Sequence, residues 1–597
     1  MRPCCTMESA AIPGTGASVS RGGGGAHRMS NSAAKRAHRT HPRRLPAVAV
    51  VAQTPSTGGG LTAGGSEDGG WVREEWATGY ANAVNSADAK WLEVEGEVPA
   101  ELCGTLFRNG PGKFSYPSGE SVGHPFDGDG YMLSVGFEGG RAFSRGRYIE
   151  TPGFLEEEKA GKILYRGTFG TKRSGGPLAN AFDLENKAIA NTNVVYWGGK
   201  LLALWEASQP FALEPDNLAS RGVDLLGGTL SAGMPFATGV EPIDDFLKSS
   251  GSGMAGNPFS AHPHLDSVTG NLVGFGYQVR PDLSTPADPF QTVFSFYEFD
   301  PSFKLAHKVC TATLPGFAFV HDFCFTETHY IIFQNPVKLD MVPFIAGMKG
   351  PGECLAFDKT LPTKAWFIPR PGSPDFGQKP KVIDCDPCFV FHHANAYNDP
   401  ARPGRVVVDS VRLPELVDFG ELSALDDFRT VDFESTPTNT LWRFEFDLAA
   451  GGGGGRCVSA TELSTRIVEF PAVSPRVFGQ RHRFVYCGAA RHPTRNQPLQ
   501  GVLKTDMDSG EQFLFRQPSH KFQQEPIFVP RAGGAEEDDG WVIAVVHDGK
   551  RSISEVQVFD AKAVQDGPVA IVNLGMLVPY GLHSTFAQDK VFNVPSK

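Results

Sequence analysis

The sequence predicts an all-β protein, and three observations predict it. From about residue 75, short apolar runs recur roughly every ten residues between Gly, Pro, Asn and Asp, which is how strands joined by tight turns are punctuated. Helical periodicity is scarce. A hairpin signal stands at Asn193-Val-Val-Tyr-Trp, Gly198-Gly199, Lys200-Leu-Leu-Ala-Leu-Trp, because paired glycines accept the positive φ angles of a two-residue turn.

Taken in order, residues 1–66 hold eight Arg or Lys, thirteen Ser or Thr and a single acid, Glu8. That is the composition of an organelle transit peptide. Residues 1–70 are therefore expected to be a plastid transit peptide or a disordered tail, and residues 75–597 the folded domain. The first 70 residues carry eight positive and three negative charges, so the body stands at −16 against −11 for the whole chain. No nucleic-acid partner is expected, because phosphate neutralisation needs clustered Lys and Arg. LPAVAVVA near residue 45 is only eight residues long, against the ~20 apolar residues of a membrane-spanning helix. The body is expected to be soluble or to rest on a membrane face.

Within the body, Tyr330-Ile-Ile-Phe, Val406-Val-Val and Trp541-Val-Ile-Ala-Val-Val read as further strands. Leu416 to Leu425 and the stretch near Phe246 read as short helices. Leu226 to Asn257 and Pro336 to Gly352 mix apolar residues with Gly and Pro and read as long loops. No 40-residue repeat is visible, which leaves open a propeller with diverged blades. The 44 Phe against 12 Tyr suit an apolar core or an apolar channel. Ten scattered cysteines do not form a disulfide framework. The Cys385-Asp-Pro-Cys388 pair lacks the second pair of a zinc site and reads as inert.

Thirteen histidines fall in the body. Four share a setting of apolar and small neighbours at the ends of strand-like runs: His262, His321, His392 and His583. Their separations of 59, 71 and 191 residues suit ligands drawn from different sheets, not a local finger or a helical HExxH. The competing His264-Leu-Asp266 has the HxD spacing of a facial triad. Pro263 before it and Ser267-Val-Thr-Gly270 after it make Asp266 a turn initiator instead.

Nine motifs then carry a resemblance: GTLFRNGPG (104–112), HPFDGDGYM (124–132), NTNVVYWGGKLLALWE (191–206), SAHPHLD (260–266), VHDF (320–323), FHHANAY (391–397), VEFPAV (468–473), EPIFVPR (525–531) and VPYGLH (578–583). In this order the chain resembles the carotenoid cleavage dioxygenases, the family that also contains the retinal isomerohydrolase and the stilbene dioxygenases. The resemblance implies a seven-bladed β-propeller with a dome of loops and short helices over one face. It implies one Fe(II) per subunit on His262, His321, His392 and His583, with His264 and His393 outside the ligand set. It also implies that Glu206, Glu469 and Glu525 accept hydrogen bonds from the outer ring nitrogens of His321, His392 and His583. Such partners fix the tautomer and aim of a ligating imidazole. No other catalytic residue is expected.

The implied activity is cleavage of a C=C bond of a carotenoid or apocarotenoid with dioxygen, giving carbonyl products. The phrase ANTNVVYWGGKLLALWEA (190–207) is most similar to apocarotenoid oxygenases that cut at the central 15,15′ bond. Cleavage at 9,10, a stilbene substrate and an oxygen-independent isomerohydrolase are the alternatives. A water-insoluble polyene has to be collected from a bilayer, so Met234, Phe236, Met341, Val342, Phe344 and Ile345, in loop-like segments, are expected at a membrane-facing substrate portal. The acidic body makes such docking hydrophobic in character.

Overall fold

A computed structural model of the chain describes residues 70–595 apart from 184–186, 234–255, 283, 285–288, 426, 451 and 453. Strands dominate. Seven antiparallel sheets of four or five strands form the blades of a propeller. Blade 1 joins Lys90–Trp91, Gly104–Lys113, Asp129–Glu138 and Arg141–Tyr148 to Ser584–Gln588. Blades 2 to 6 follow in chain order and begin at Asn193–Trp197, His264–Leu265, Cys324–Phe325, Phe389–Asn398 and Val468–Ala472. Blade 7 begins at Lys521–Pro530 and recruits the early strand Glu93–Gly96.

The packing follows from the period of two along a strand. Both faces of a blade are covered by neighbours, so strands become near-continuous apolar runs; all nine residues of Gly540–Asp548 are buried. Within that strand Val542 joins blade 6 residues Tyr486 and Val502, while Ile543 and Val545 join Leu133 and Val135 of blade 1. Blade 2 repeats the pattern. Leu201 and Ala203 meet Phe107 and Met132 of blade 1, and Leu202 and Leu204 meet Leu272 and Phe299 of blade 3.

The ring is tied twice. Ser584–Gln588 pairs with Gly104–Lys113, from Gly104↔Gln588 to Arg108↔Ser584, and Glu93–Gly96 pairs with Pro568–Asn573. Closure of this kind protects strand edges that would otherwise template aggregation.

Most sequence expectations have a structural counterpart. The Asn193 hairpin forms, with Trp197 opposite Lys200 and φ of 57° and 77° at Gly198 and Gly199. The short helix is Phe419–Ser423, capped by Asp418, which accepts from Gly420 N at 2.8 Å. Asp266 does start a turn, accepting from Val268 N at 2.9 Å, and is also paired to buried Arg370 at 2.8 Å.

Other expectations are corrected or fall outside the description. Pro336 to Gly352 is not structureless: Val337–Leu339 pairs with Leu355–Phe357 and Val342–Ile345 makes one helical turn. The ordered body begins before residue 75, because Trp71 packs edge-on against Trp76 and Phe433 and Arg73 donates to the Val431 carbonyl at 2.6 Å. The stretch near Phe246, most of Leu226 to Asn257, and Met234 and Phe236 lie outside the described residues, as do residues 1–69.

Candidate metal centre

Each blade delivers one polar side chain toward the histidine cluster, and six of the seven do so where the innermost strand starts or is irregular. His262, His321 and His583 stand just before the strands that begin at His264, Cys324 and Ser584. His392, Glu469 and Glu525 lie inside strands, each at a register shift: Val390 to His393, Glu469 to Ala472, and Gln523 to Pro526. Such bulges re-aim a side chain. At Glu469 the bend places Phe470 at φ 55°, a region costly for a residue with a Cβ and found where surrounding structure enforces it. Glu206 completes the set from the turn after Lys200–Leu204 of blade 2.

The four histidines offer nitrogens that all lie within 4.8 Å of one another. Ring centroids of touching pairs are 4.4–5.2 Å apart. The outer nitrogens face carboxylates: His392 Nδ1 is 2.7 Å from Glu469 Oε2, His583 Nδ1 is 2.8 Å from Glu525 Oε1, and His321 Nδ1 bonds Glu206. A carboxylate at Nδ1 draws the proton there and leaves the Nε2 lone pair facing inward. Burial, with the neighbouring imidazoles, holds His262 and His583 well below the usual histidine range.

This donor set fits a metal cation. His392 Nε2 is buried without a hydrogen-bond partner. His262 Nε2 and His321 Nε2 face each other at 2.9 Å, close to the ~3 Å that separates two imidazole nitrogens bound at right angles at about 2.1 Å. A cation would engage all four inward-facing nitrogens at once, including the His392 Nε2 that no protein donor reaches.

His264 and His393 turn elsewhere. His264 stacks on Phe478 at 4.2 Å and its Nε2 is 3.0 Å from Asp322 Oδ1. His393 Nδ1 bonds Ser410 Oγ at 2.7 Å. Asp322, which the sequence reading passed over, also accepts from His393 N and Phe323 N. Burial alone would raise its carboxyl, but the hydrogen bond and charge interaction with His264 bring it down to about 2. The Cys385 and Cys388 thiols are free and buried.

Two cavities flank the histidines. One, of about 400 Å³, is walled mainly by aromatic and aliphatic side chains, among them Trp76, Phe169, Phe391, Phe419 and Phe433. The other, of about 250 Å³, contains His264, Asp322 and Glu525. They share His392, His583 and Phe470. The apolar cavity is roofed by the N-terminal segment at Trp76 and Tyr80 and by residues between Val417 and Pro437. None of Pro336 to Gly352 lines it, and most of Leu226 to Asn257 lies outside the described residues.

Fold and site together define a propeller metalloprotein with a four-imidazole centre opening onto an apolar cavity. The model of the family described as retinal pigment epithelial membrane protein, RPE65, matches residues 80–588, and the chain belongs to this carotenoid oxygenase family. An apocarotenoid-15,15′-oxygenase of Synechocystis is 38% identical over 86% of this chain and 96% of that protein. Carotenoid cleavage dioxygenase 7 of rice, a chloroplastic protein, is 29% identical over 83% of this chain and 88% of its own length. A cobalt-substituted Synechocystis apocarotenoid oxygenase structure superposes with TM-score 0.75 at 37% identity, covering 87% of this chain and 99% of that one.

Alanine at any of His262, His321, His392 or His583 is expected to abolish metal binding, whereas His393→Ala retains it. Glu469→Gln is expected to weaken metal affinity by roughly ten- to hundredfold. Metal content after dialysis against graded chelator measures both, and wild-type affinity in the glutamine variant would dismiss the orienting role.

Proposed function

We propose that the chain is an Fe(II) dioxygenase that cleaves one C=C bond of a carotenoid or apocarotenoid into two carbonyls, one oxygen atom of dioxygen ending in each. The observation that carries this reading is a four-imidazole centre at the end of an apolar cavity. His262, His321, His392 and His583 would hold the iron(II), which when bound would supply dioxygen activation next to a bound double bond. The protein's own part is placement. Phe391, Phe169 and Phe419 offer flat apolar walls to a rigid polyene, so that a single bond along it lies against the histidines. Phe470, wedged beside His392 and His583 at centroid distances of 5.6 and 5.4 Å, screens that bond from the polar cavity. No side chain in the apolar cavity has the arrangement of a nucleophile with its base, and the reaction needs none.

The 15,15′ position is the favoured bond, supported by the named activity of the Synechocystis relative. Stilbene cleavage is the second reading, supported by a lignostilbene-alpha,beta-dioxygenase of Sphingomonas paucimobilis at 28% identity over 83% of this chain.

The proposal extends to a membrane surface. No helix among the described residues is long and apolar enough to cross a membrane. An exposed apolar patch supports docking instead: Val342 (69% exposed), Ile345 and Met348 adjoin Leu178 (94%) and Phe182 (83%), and Phe182 N donates to the Ile345 carbonyl. Phe344 is a correction, since it is buried beneath the Arg166 guanidinium at 4.3 Å and cannot insert; Met341 is half-buried. Residues 1–70 are proposed as a plastid transit segment, supported by their composition and by chloroplastic relatives.

Incubating iron-loaded protein with apocarotenals, carotenoids and hydroxystilbenes should give two carbonyl fragments from an apocarotenal, identified by mass. Products from stilbenes alone would replace the polyene reading. In liposome flotation the protein should bind and remain bound at high salt, and Leu178→Ser with Ile345→Ser should release it; salt-sensitive binding, or none, would dismiss hydrophobic docking. Removing residues 1–70 should leave cleavage intact, and a fluorescent fusion of those residues should enter plastids; a cytosolic fusion would end the targeting proposal.

A further inference from the structure

The polar cavity is left without a role by the cleavage reaction. It differs from the apolar cavity in three ways. Its lining includes exposed residues, Leu265 and Pro475, whereas the described lining of the apolar cavity is buried or half-buried. It contains His262, while His321 faces only the apolar side. Both cavities hold carboxylates, but only the polar one holds a carboxylate that is not hydrogen-bonded to one of the four histidines: Asp322, which is 4% exposed and bonds His264 instead.

Asp322 stands between the mouth and the centre. Its Oδ1 is 3.0 Å from His264 Nε2 and 3.9 Å from His262 Nδ1. Backbone donors at Phe323 and His393, at 2.7 and 2.8 Å, hold the carboxylate in place. His264 is itself half-buried and fixed against Phe478.

A hydrated divalent cation cannot shed its water among aromatic walls without large uncompensated cost, because an ion leaving water needs replacement donors at every step. The walls of the apolar cavity are mainly aromatic and aliphatic, and its two carboxylates, Glu206 and Glu469, are already paired to His321 and His392. The polar cavity offers an imidazole, then a carboxylate, then the histidines. We propose that the polar cavity is the loading path of the metal, with Asp322 and His264 the groups that attract and partly desolvate the cation before the four imidazoles take it. This rests on the metal-centre reading and adds a route to it: substrate arrives on one side of the histidines and metal on the other.

The test is the kinetics of metal uptake by the full chain, stripped with chelator and mixed with cobalt(II), followed by visible absorption and by metal content. Ala472→Phe, which fills the polar cavity from the strand Val468–Ala472, should slow both uptake and release, because it raises a barrier on the path. Asp322→Asn should slow uptake about tenfold, the scale of an electrostatic guide in a cleft. Val417→Phe, which fills the apolar cavity, should leave cobalt uptake at the wild-type rate. Wild-type rates in Ala472→Phe, or slowed uptake in Val417→Phe, would overturn the path while leaving the metal centre standing. Should Asp322→Asn fail to fold, the two cavity-filling variants decide. A wild-type chain that takes up no cobalt, iron or zinc would overturn the four-histidine reading and the path with it.

Discussion

Four imidazole lone pairs aimed at one point repel unless a cation lies among them, and the remaining architecture can be understood as what holds them there. Neutral ligands leave the charge of the metal uncancelled. The three carboxylates behind His321, His392 and His583 would offset it from one bond further out, so that a dication held there would be buried with compensation. His262 has no glutamate; its nearest carboxylate is Asp322 at 3.9 Å.

Seven blades suit this task because each brings one inner strand to the axis. Four blades supply histidine and three supply glutamate, with no blade giving two of these groups. Convergence of this kind requires a closed ring. The pairing of Ser584–Gln588 with Gly104–Lys113 both closes it and sets His583, one residue before the strand, opposite residues almost 500 positions earlier. The alternate apolar residues that lock blade to blade are therefore part of the site's precision, since a shift of one blade would move one ligand.

The metal centre also divides space by chemistry. Aromatic walls on one side favour an apolar reactant, and His264 with Asp322 on the other favours a charged one. Phe470, in a backbone conformation that side chains seldom adopt, stands at the boundary. Its strain comes from the same bulge that aims Glu469, so one local distortion serves both the orientation of His392 and the separation of the cavities.

Much of this was legible in the sequence. Period-two apolar runs and glycine turns determine strands locally, and the flanking residues of His262, His321, His392 and His583 marked those four among thirteen in the body. Motif order carried the propeller, because spacing alone cannot number blades. What only the tertiary structure decided lies in contacts between segments distant in the chain. Phe344 looked as exposed as Ile345, one residue away, yet Arg166, from a different segment, covers it. The far wall of the apolar cavity comes from Trp76 and from residues between Val417 and Pro437, and nothing in their sequence, beyond a short helix, says what they cover. Asp322 is an ordinary acid beside a histidine until folding brings His264 to its carboxylate. A sequence fixes which backbone angles and which faces a segment prefers; which segment covers which is settled only when the ring closes and every buried group must find its partner.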